Sequence, residues 1–346
     1  MARIALDAMG GDFAPKAAIA GAVTALAELD VAHRIVLVGQ ARVVEATLTE
    51  LLGGELAAHA GVRSQIDIVD APDVIDMSDK PTVALRGKRK SSMVVGIELH
   101  ARGEADAFVS AGNTGAQMAA STVHLKLHPG LTRPSLGTIF PTALAPVVVL
   151  DSGANVDCSA EELVQFARVG SVYAEDILGR ANPVVGLLSI GEEAEKGNAA
   201  VKAAHQLLLQ AGVNFQGNIE GRDIPKGASE RGPFDVVVCD GFTGNVVLKF
   251  YESVPGLLGG WLRKSGVAKE TLVQAFAPLD YAAYGGAPLL GVKGISVICH
   301  GKSSARAIKN GIIVALRAHE SGMSAHIGRR LAAGAGMGSG PNASAA

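Results

Sequence analysis

The chain has 346 residues, enough for two domain-sized units or one large two-lobed unit. Apolar residues make up 48% and mean hydropathy is +0.29, which excludes a disordered chain. Lys and Arg number 31 against 33 Asp and Glu, a net charge of −2, and aromatics are 4%, so a general nucleic-acid binder is excluded. β-Branched runs predict strands over 3–8, 34–39, 66–71, 107–111, 147–151, 184–190, 214–219, 235–240 and 295–300. Helical spacing predicts helices over 15–29, 41–52, 81–102, 114–127, 159–179, 196–211, 243–264 and 303–320. This alternation reads as an α/β fold with a mostly parallel sheet. The Gly/Ala/Ser-rich segment 334–346 is expected to be a disordered tail.

Cys158, Cys239 and Cys299 lie far apart and form no CxxC, so neither a zinc site nor a disulfide framework is expected. A reduced, cytosolic setting fits this usage. The opening Met1-Ala2-Arg3-Ile4-Ala5-Leu6-Asp7 does not read as a signal peptide. The longest apolar run, 143–150, is far short of the ~20 residues of a membrane span.

Six predicted strands run into polar, Gly-rich turns. They carry Met9-Gly10-Gly11-Asp12, Gly112-Asn113-Thr114-Gly115, Gly153-Ala154-Asn155-Val156-Asp157, Gly191-Glu192-Glu193, Gly241-Phe242-Thr243-Gly244-Asn245 and Gly301-Lys302-Ser303-Ser304. Ligands of open α/β sheets bind outside the carboxyl ends of strands. A helix N-terminus preceded by Gly offers backbone N–H donors to an anion. A helix cap explains any one of these turns alone; six together point to a crevice for a phosphate or an oxyanion. Gly301-Lys302-Ser303 imitates the end of a nucleotide P-loop, but Ser296 stands where that motif needs Gly. Gly334, Gly336, Gly338 and Gly340 follow no strand and open no helix, so they are not a dinucleotide fingerprint. The nine His show no metal-ligand spacing.

Lys80, Arg86, Lys88, Arg89 and Lys90 cluster on a helix that Pro81 is expected to open. They read as a solvated face or as a docking surface for an acidic partner. Val254, Leu257, Leu258, Trp261 and Leu262 have helical spacing, with Pro255 and Gly259-Gly260 expected to interrupt the helix. That stripe suits a core or dimer face, or an apolar tip resting on a membrane. Cys158 sits in a polar loop, while Cys239 and Cys299 read as small buried hydrophobes.

Several long motifs occur in one order. They include Asp7-Ala8-Met9-Gly10-Gly11-Asp12, Ser110 to Ala116, Gly153 to Cys158, Gly191-Glu192-Glu193, Asn218 to Asp223, Cys239-Asp240-Gly241-Phe242, Gly244 to Lys249 and Tyr284 to Gly291. Together, from residue 2 to about 320, they resemble the bacterial phosphate acyltransferase (PlsX) family of phospholipid synthesis. The resemblance implies transfer of an acyl group from acyl-[acyl-carrier protein] to inorganic phosphate, giving an acyl phosphate for a downstream membrane glycerol-3-phosphate acyltransferase. It also implies a homodimer, no metal or organic cofactor, and a cytoplasmic enzyme peripherally associated with the inner face of the plasma membrane. The implied fold is a two-lobed, three-layer α/β/α unit like that of isocitrate and isopropylmalate dehydrogenases. By that analogy residues 1–130 with 290–330 form one lobe. Residues 131–289 form the other, including a helical dimer or membrane-contact segment near 246–277.

Phosphate is a nucleophile near pH 7, so the chemistry asks for positioning and fixed donors more than for a covalent intermediate. Gly112, Asn113, Thr114 and Asn245 are the expected anion or oxyanion donors, and Lys196, Lys249 and Lys302 the charge partners. His300 is the candidate to protonate the leaving thiolate. Gly10, Gly11, Asp12, Gly115, Asn155, Asp157, Asp240 and Ser303 are expected at the substrate, with the aspartates orienting cations. Arg86, Lys88 and Arg89 are expected to meet the carrier protein. A phosphotransacetylase acting on a short acyl-CoA is the alternative reading.

Overall fold

A computed structural model describes residues 1–279 and 284–335, without the side chains of 278, 334 and 335. In chain order the first stretch holds β1 (Arg3–Asp7), α1 (Lys16–Glu28), β2 (Arg34–Gly39), α2 (Ala41–Gly53), β3 (Ile66–Asp70), α3 (Pro81–Gly87), α4 (Ser92–Ala101), β4 (Ala107–Ser110) and α5 (Thr114–His124). The middle stretch holds β5 (Ser135–Leu136), β6 (Thr138–Phe140), β7 (Val147–Leu150), α6 (Ala160–Leu178), β8 (Val184–Ser189), α7 (Ala199–Leu208), β9 (Asn214–Glu220), β10 (Ala228–Ser229), β11 (Gly232–Pro233), β12 (Val236–Val238) and α8 (Gly241–Lys264). Then come α9 (Lys269–Phe276), β13 (Ala287–Leu290), β14 (Ser296–Ile298), α10 (Ala305–Glu320) and α11 (Met323–Ala335).

The chain divides into two compact units. One is Met1–Lys126 with Lys249–Ser321; the other is Leu127–Leu248 with the residues from Gly322 on. Residues 249–289 therefore fall in the first unit rather than with 131–248, and 322–330 in the second. The boundary lies inside α8, because that helix runs on without a break.

In the first unit the sheet runs β3-β2-β1-β4-β14-β13. All these pairings are parallel except β13 with β14. Phe108 of β4 lies against Gly96 of α4, and the next residue, Val109, lies against Gly311 of α10. Successive strand residues point to opposite faces, so the two helices cover opposite sides of the sheet and make three layers. Leu6, Leu37 and Val109 are fully buried between them, each contributing about 1.5–3 kcal/mol by leaving water. In the second unit the sheet runs β6-β7-β12-β8-β9, antiparallel only at β6. Leu150 of β7 and Val236 of β12 pack against Gly170 of α6.

Three expectations are corrected. The helix expected over 81–102 is two helices, α3 and α4. The first ends at Gly87, and Ser91 opens the second, capping α4 by accepting from the Val94 N–H at 3.4 Å. Pro255 and Gly259-Gly260 do not interrupt α8, whose backbone stays helical from 241 to 264 with Pro255 inside. Strands β5, β6, β10, β11 and β13 and helices α9 and α11 were not anticipated. β13 carries Pro288 beside glycines and reads locally as a loop. Of the expected tail, residues 334 and 335 end α11; the remainder lies outside the described residues.

Candidate active site: two rows of strand-end turns

Parallel pairing puts the carboxyl ends of β1, β4 and β14 side by side in the first unit. Their turns hold Gly10 to Asp12, Gly112 to Gly115 and Gly301 to Ser303. The Asp12 N–H donates to the Gly301 carbonyl at 2.7 Å, tying the first turn to the third. Asp7, buried at the end of β1, accepts from Ser110 Oγ at 2.7 Å and from the Met9 N–H at 3.0 Å. Burial raises its pKa, against the pull of Ser92, Ser110 and the Met9 and Gly10 amides. Any side chain at Gly10 would start within 3 Å of Asp7, Ser110 and Gly112, so only glycine fits this crossing.

The Gly112 N–H is spent on Ser110 Oγ at 2.9 Å. Asn113, buried, caps α5: its Oδ1 accepts from the Ala116 N–H at 3.0 Å. Its Nδ2 donates to the carbonyls of Asp76, Met77 and Asp79 at 3.3, 3.2 and 3.0 Å. Neither Gly112 nor the Asn113 side chain is thus the free oxyanion donor expected from sequence. The donors this turn does offer are the N–H groups of Thr114 and Gly115, which open α5 and have no intrahelical acceptor. On the third turn His300 and Lys302 are exposed and Ser303 is buried. The Lys302 N–H donates to His300 Nδ1 at 3.1 Å, which gives that ring nitrogen an acceptor role. The Lys302 ammonium has no ion-pair partner among the described residues.

The second unit repeats the arrangement at β7, β12 and β8, whose parallel pairing aligns the turns at 151–157, 240–245 and 191–196. Asp151 is fully buried and accepts five N–H bonds. Oδ1 takes those of Leu136, Gly153 and Ala154, and Oδ2 takes the Asn155 backbone and side-chain amides at 2.7 and 2.8 Å. Burial raises its pKa, and these donors oppose the rise. Asn155 also donates to the Pro134 carbonyl at 2.8 Å, and its own carbonyl accepts from Gly241 at 2.7 Å. Asn155 is therefore a brace between two turns rather than a substrate ligand. Asp240 caps α8 through the Thr243 N–H at 2.7 Å and Oγ1 at 2.9 Å, so it orients the helix rather than a cation.

Asn245, one turn into α8, is exposed and lies against Gly153. Asp157 is exposed on the first turn. Lys196, on the irregular turn after β8, is exposed, with no ion-pair partner among the described residues. Lys249 differs: its ammonium pairs with Glu252 at 2.8 Å. Cys158 is half-buried, and burial pushes its thiol up to about 12; Cys239 and Cys299 are buried.

Of the basic cluster, Lys88 is bound to the carboxylates of Asp76, at 2.9 Å, and Asp79. It clamps the 76–79 loop and is not free to dock a partner. Arg86 and Arg89 are exposed without ion pairs among the described residues. Among the described residues no group of three or more His, Cys, Asp or Glu converges as metal ligands do, and no helix is long and apolar enough to cross a membrane. Sequence reasoning missed Ser110, Asp76 and Asp79, whose roles depend on carbonyls and amides brought from distant segments.

A family model described as "Fatty acid synthesis protein" matches residues 2–326. A protein of Heliobacterium modesticaldum named phosphate acyltransferase is 49% identical over 325 residues, covering 90% of this chain and 92% of its own. Among solved structures, a phosphotransacetylase from Streptococcus pyogenes superposes with a TM-score of 0.62 at 18% identity, covering 92% of this chain and 94% of that one. A 4-hydroxythreonine-4-phosphate dehydrogenase from Klebsiella pneumoniae gives 0.51 at 15% identity, over 92% and 98%. At these identities the two structures speak for the fold alone, and both carry the α/β architecture expected from sequence.

Proposed function

Because the chain belongs to the fatty acid synthesis protein family and is an acyltransferase, we propose that it moves a fatty acyl group from acyl-[acyl-carrier protein] to inorganic phosphate. The observation that carries this is the double row of Gly-rich turns at parallel strand ends, each with a lysine that has no ion-pair partner among the described residues: Lys302 in one unit, Lys196 in the other. Helix N-termini and lysines of this kind suit a phosphate dianion.

A phosphate oxygen attacks the thioester carbonyl. A C–O bond forms, the carbonyl electrons move onto oxygen, and on collapse the C–S bond breaks with the pair leaving on sulfur. Lys302 in the first unit and Lys196 in the second are each a candidate cation for the phosphate. The N–H groups of Thr114 and Gly115 in the first unit, or the Asn245 amide in the second, serve the phosphate or the transient oxyanion. Gly10, Gly11 and Asp12 shape the floor beside Gly301. His300 hands the departing thiolate a proton, made good by the one that hydrogen phosphate loses on acylation. Such fixed donors need no metal and no organic cofactor.

The product acyl phosphate then feeds a membrane acyltransferase that acylates glycerol 3-phosphate. Arg86 and Arg89 supply the positive face for the acidic carrier protein. The exposed apolar stripe of α8, including Phe250, Leu257, Leu258 and Trp261, serves a homodimer contact or the inner face of the plasma membrane. The test is acyl phosphate formation from acyl-[acyl-carrier protein] and from acyl-CoA in parallel. Preference for the carrier protein supports the reading. Exclusive use of short acyl-CoA replaces it with the phosphotransacetylase alternative.

A further inference from the structure

Lys196 stands on a turn with no regular structure of its own, yet that turn is held by its carbonyls from two sides. The Lys196 N–H donates to the Glu193 carbonyl at 3.0 Å. The same carbonyl accepts from Asn218 Nδ2 at 2.7 Å. Asn218 is fully buried on β9, and its Oδ1 lies 2.9 Å from Nδ1 of His205, which is buried and packed edge-on against Phe215. One residue before Glu193, the Glu192 carbonyl accepts from Arg231 Nη2 at 3.0 Å, and Arg231 Nη1 donates to the Gln216 carbonyl at 3.0 Å.

Arg231 lies on the turn between β10 and β11 and is exposed, with no carboxylate partner among the described residues. Its guanidinium fills the space at Gly217 (φ +112°) where a Cβ would stand, so the glycine opens the path the fork uses. A rigid planar fork holds two carbonyls of different elements in one fixed geometry, which an ammonium on a flexible stem does less tightly.

We propose that Arg231 is a positioning residue for acyl transfer: it fixes the Glu192 carbonyl, next to the Glu193 carbonyl that Asn218 holds, and so keeps the Lys196 ammonium in place for phosphate. The inference rests on the reading of Lys196 as a phosphate-binding cation. Displacement of a binding group by about 1 Å can cost up to roughly 10²-fold.

The test is steady-state kinetics at varied inorganic phosphate for Arg231→Ala, Arg231→Lys, Lys196→Ala and the double variant Arg231→Ala/Lys196→Ala. Arg231→Ala is expected to raise the phosphate KM about tenfold with kcat within about threefold, and Arg231→Lys to recover part of the loss. In the Lys196→Ala background, Arg231→Ala is expected to change KM by less than about twofold, because the two act as one unit. Independent, multiplicative losses overturn the inference and leave Lys196 standing, as does a silent Arg231→Ala beside a costly Lys196→Ala. An unchanged phosphate KM in Lys196→Ala removes the reading of Lys196 and the inference with it. Because Arg231 is exposed, these variants decide the matter without disturbing the buried Asn218.

Discussion

The Asn113 side-chain amide donates to the Asp79 carbonyl at 3.0 Å, across 34 residues of sequence. The same amide reaches the carbonyls of Asp76 and Met77, while Lys88 binds the carboxylates of Asp76 and Asp79. The loop before α3 is thus tied through its backbone to the start of α5 and through its side chains to Lys88 at the end of α3. Asn113 therefore acts as cap and clamp.

Asn113→Ala removes a cap and the side-chain bonds to three carbonyls of a half-exposed loop, a loss of about 1–2 kcal/mol. Denaturant unfolding is expected to show that drop, with kcat of the folded enzyme within about threefold. A roughly hundredfold loss of kcat at unchanged stability would instead place Asn113 at the reacting carbonyl.

The lysines are expected to separate. Lys196→Ala should raise the phosphate KM by about tenfold or more, since its charge has no partner among the described residues to spend it on. Lys249→Ala should stay within about twofold, because Glu252 already holds that ammonium. Equal losses from both would show that the Lys249–Glu252 pair opens in the working enzyme.

Cys158 is not expected to act as a nucleophile. With its thiol pushed up to about 12 by burial, its thiolate fraction at pH 8 is about three orders of magnitude below that of an ordinary cysteine near 8.5. Activity is expected to survive iodoacetamide at pH 8, and Cys158→Ala to stay within about tenfold. An acyl group trapped on Cys158 would overturn direct attack by phosphate.

Asp67 sets an acid limit on the first unit. Its bond to the Arg34 guanidinium, at 2.9 Å, holds its carboxyl below the ordinary range, helped by Arg3. A folded-state pKa below the unfolded value of about 3.9 means a contribution present above that pH. It is lost as pH falls through the lower folded value. Asp67→Asn should lower Tm at pH 7 and converge with the parent in strong acid; a gap that does not shrink as pH falls would refute the linkage.

Leu258→Glu separates the two uses of the α8 stripe. Loss of vesicle co-sedimentation with the oligomer and the soluble activity intact marks a membrane contact. A monomer or aggregate on gel filtration, with activity lost, marks an interface between copies. Neither change would remove both roles from this helix.

The alternation of β-branched runs, Gly-bearing turns and amphipathic stretches was enough to place nine strands and the order of turns. These signals are local: side-chain period and turn chemistry act within a few residues. Hence β2 was located over its full length, and β1, β4 and β7 to within a residue. β13 was invisible because a four-residue strand with Pro288 owes its existence to pairing with β14, not to its own propensity. Pro255 was misleading for the converse reason: a helix already propagating on both sides carries one missing N–H.

The sequence by itself determined which residue types stand at the strand ends, since glycine, asparagine and lysine are read directly and their turns are short-range structures. Only the tertiary structure decided what each does there. Asn113, Asn155 and Asp240 look from sequence like ligands as much as Lys196 does, but folding gives their side chains structural partners, some from far along the chain. Lys196 and Lys302 keep their charge unpaired among the described residues. Whether a polar group is spent or available depends on partners that folding brings within 3 Å, and no spacing rule along one chain contains that distance.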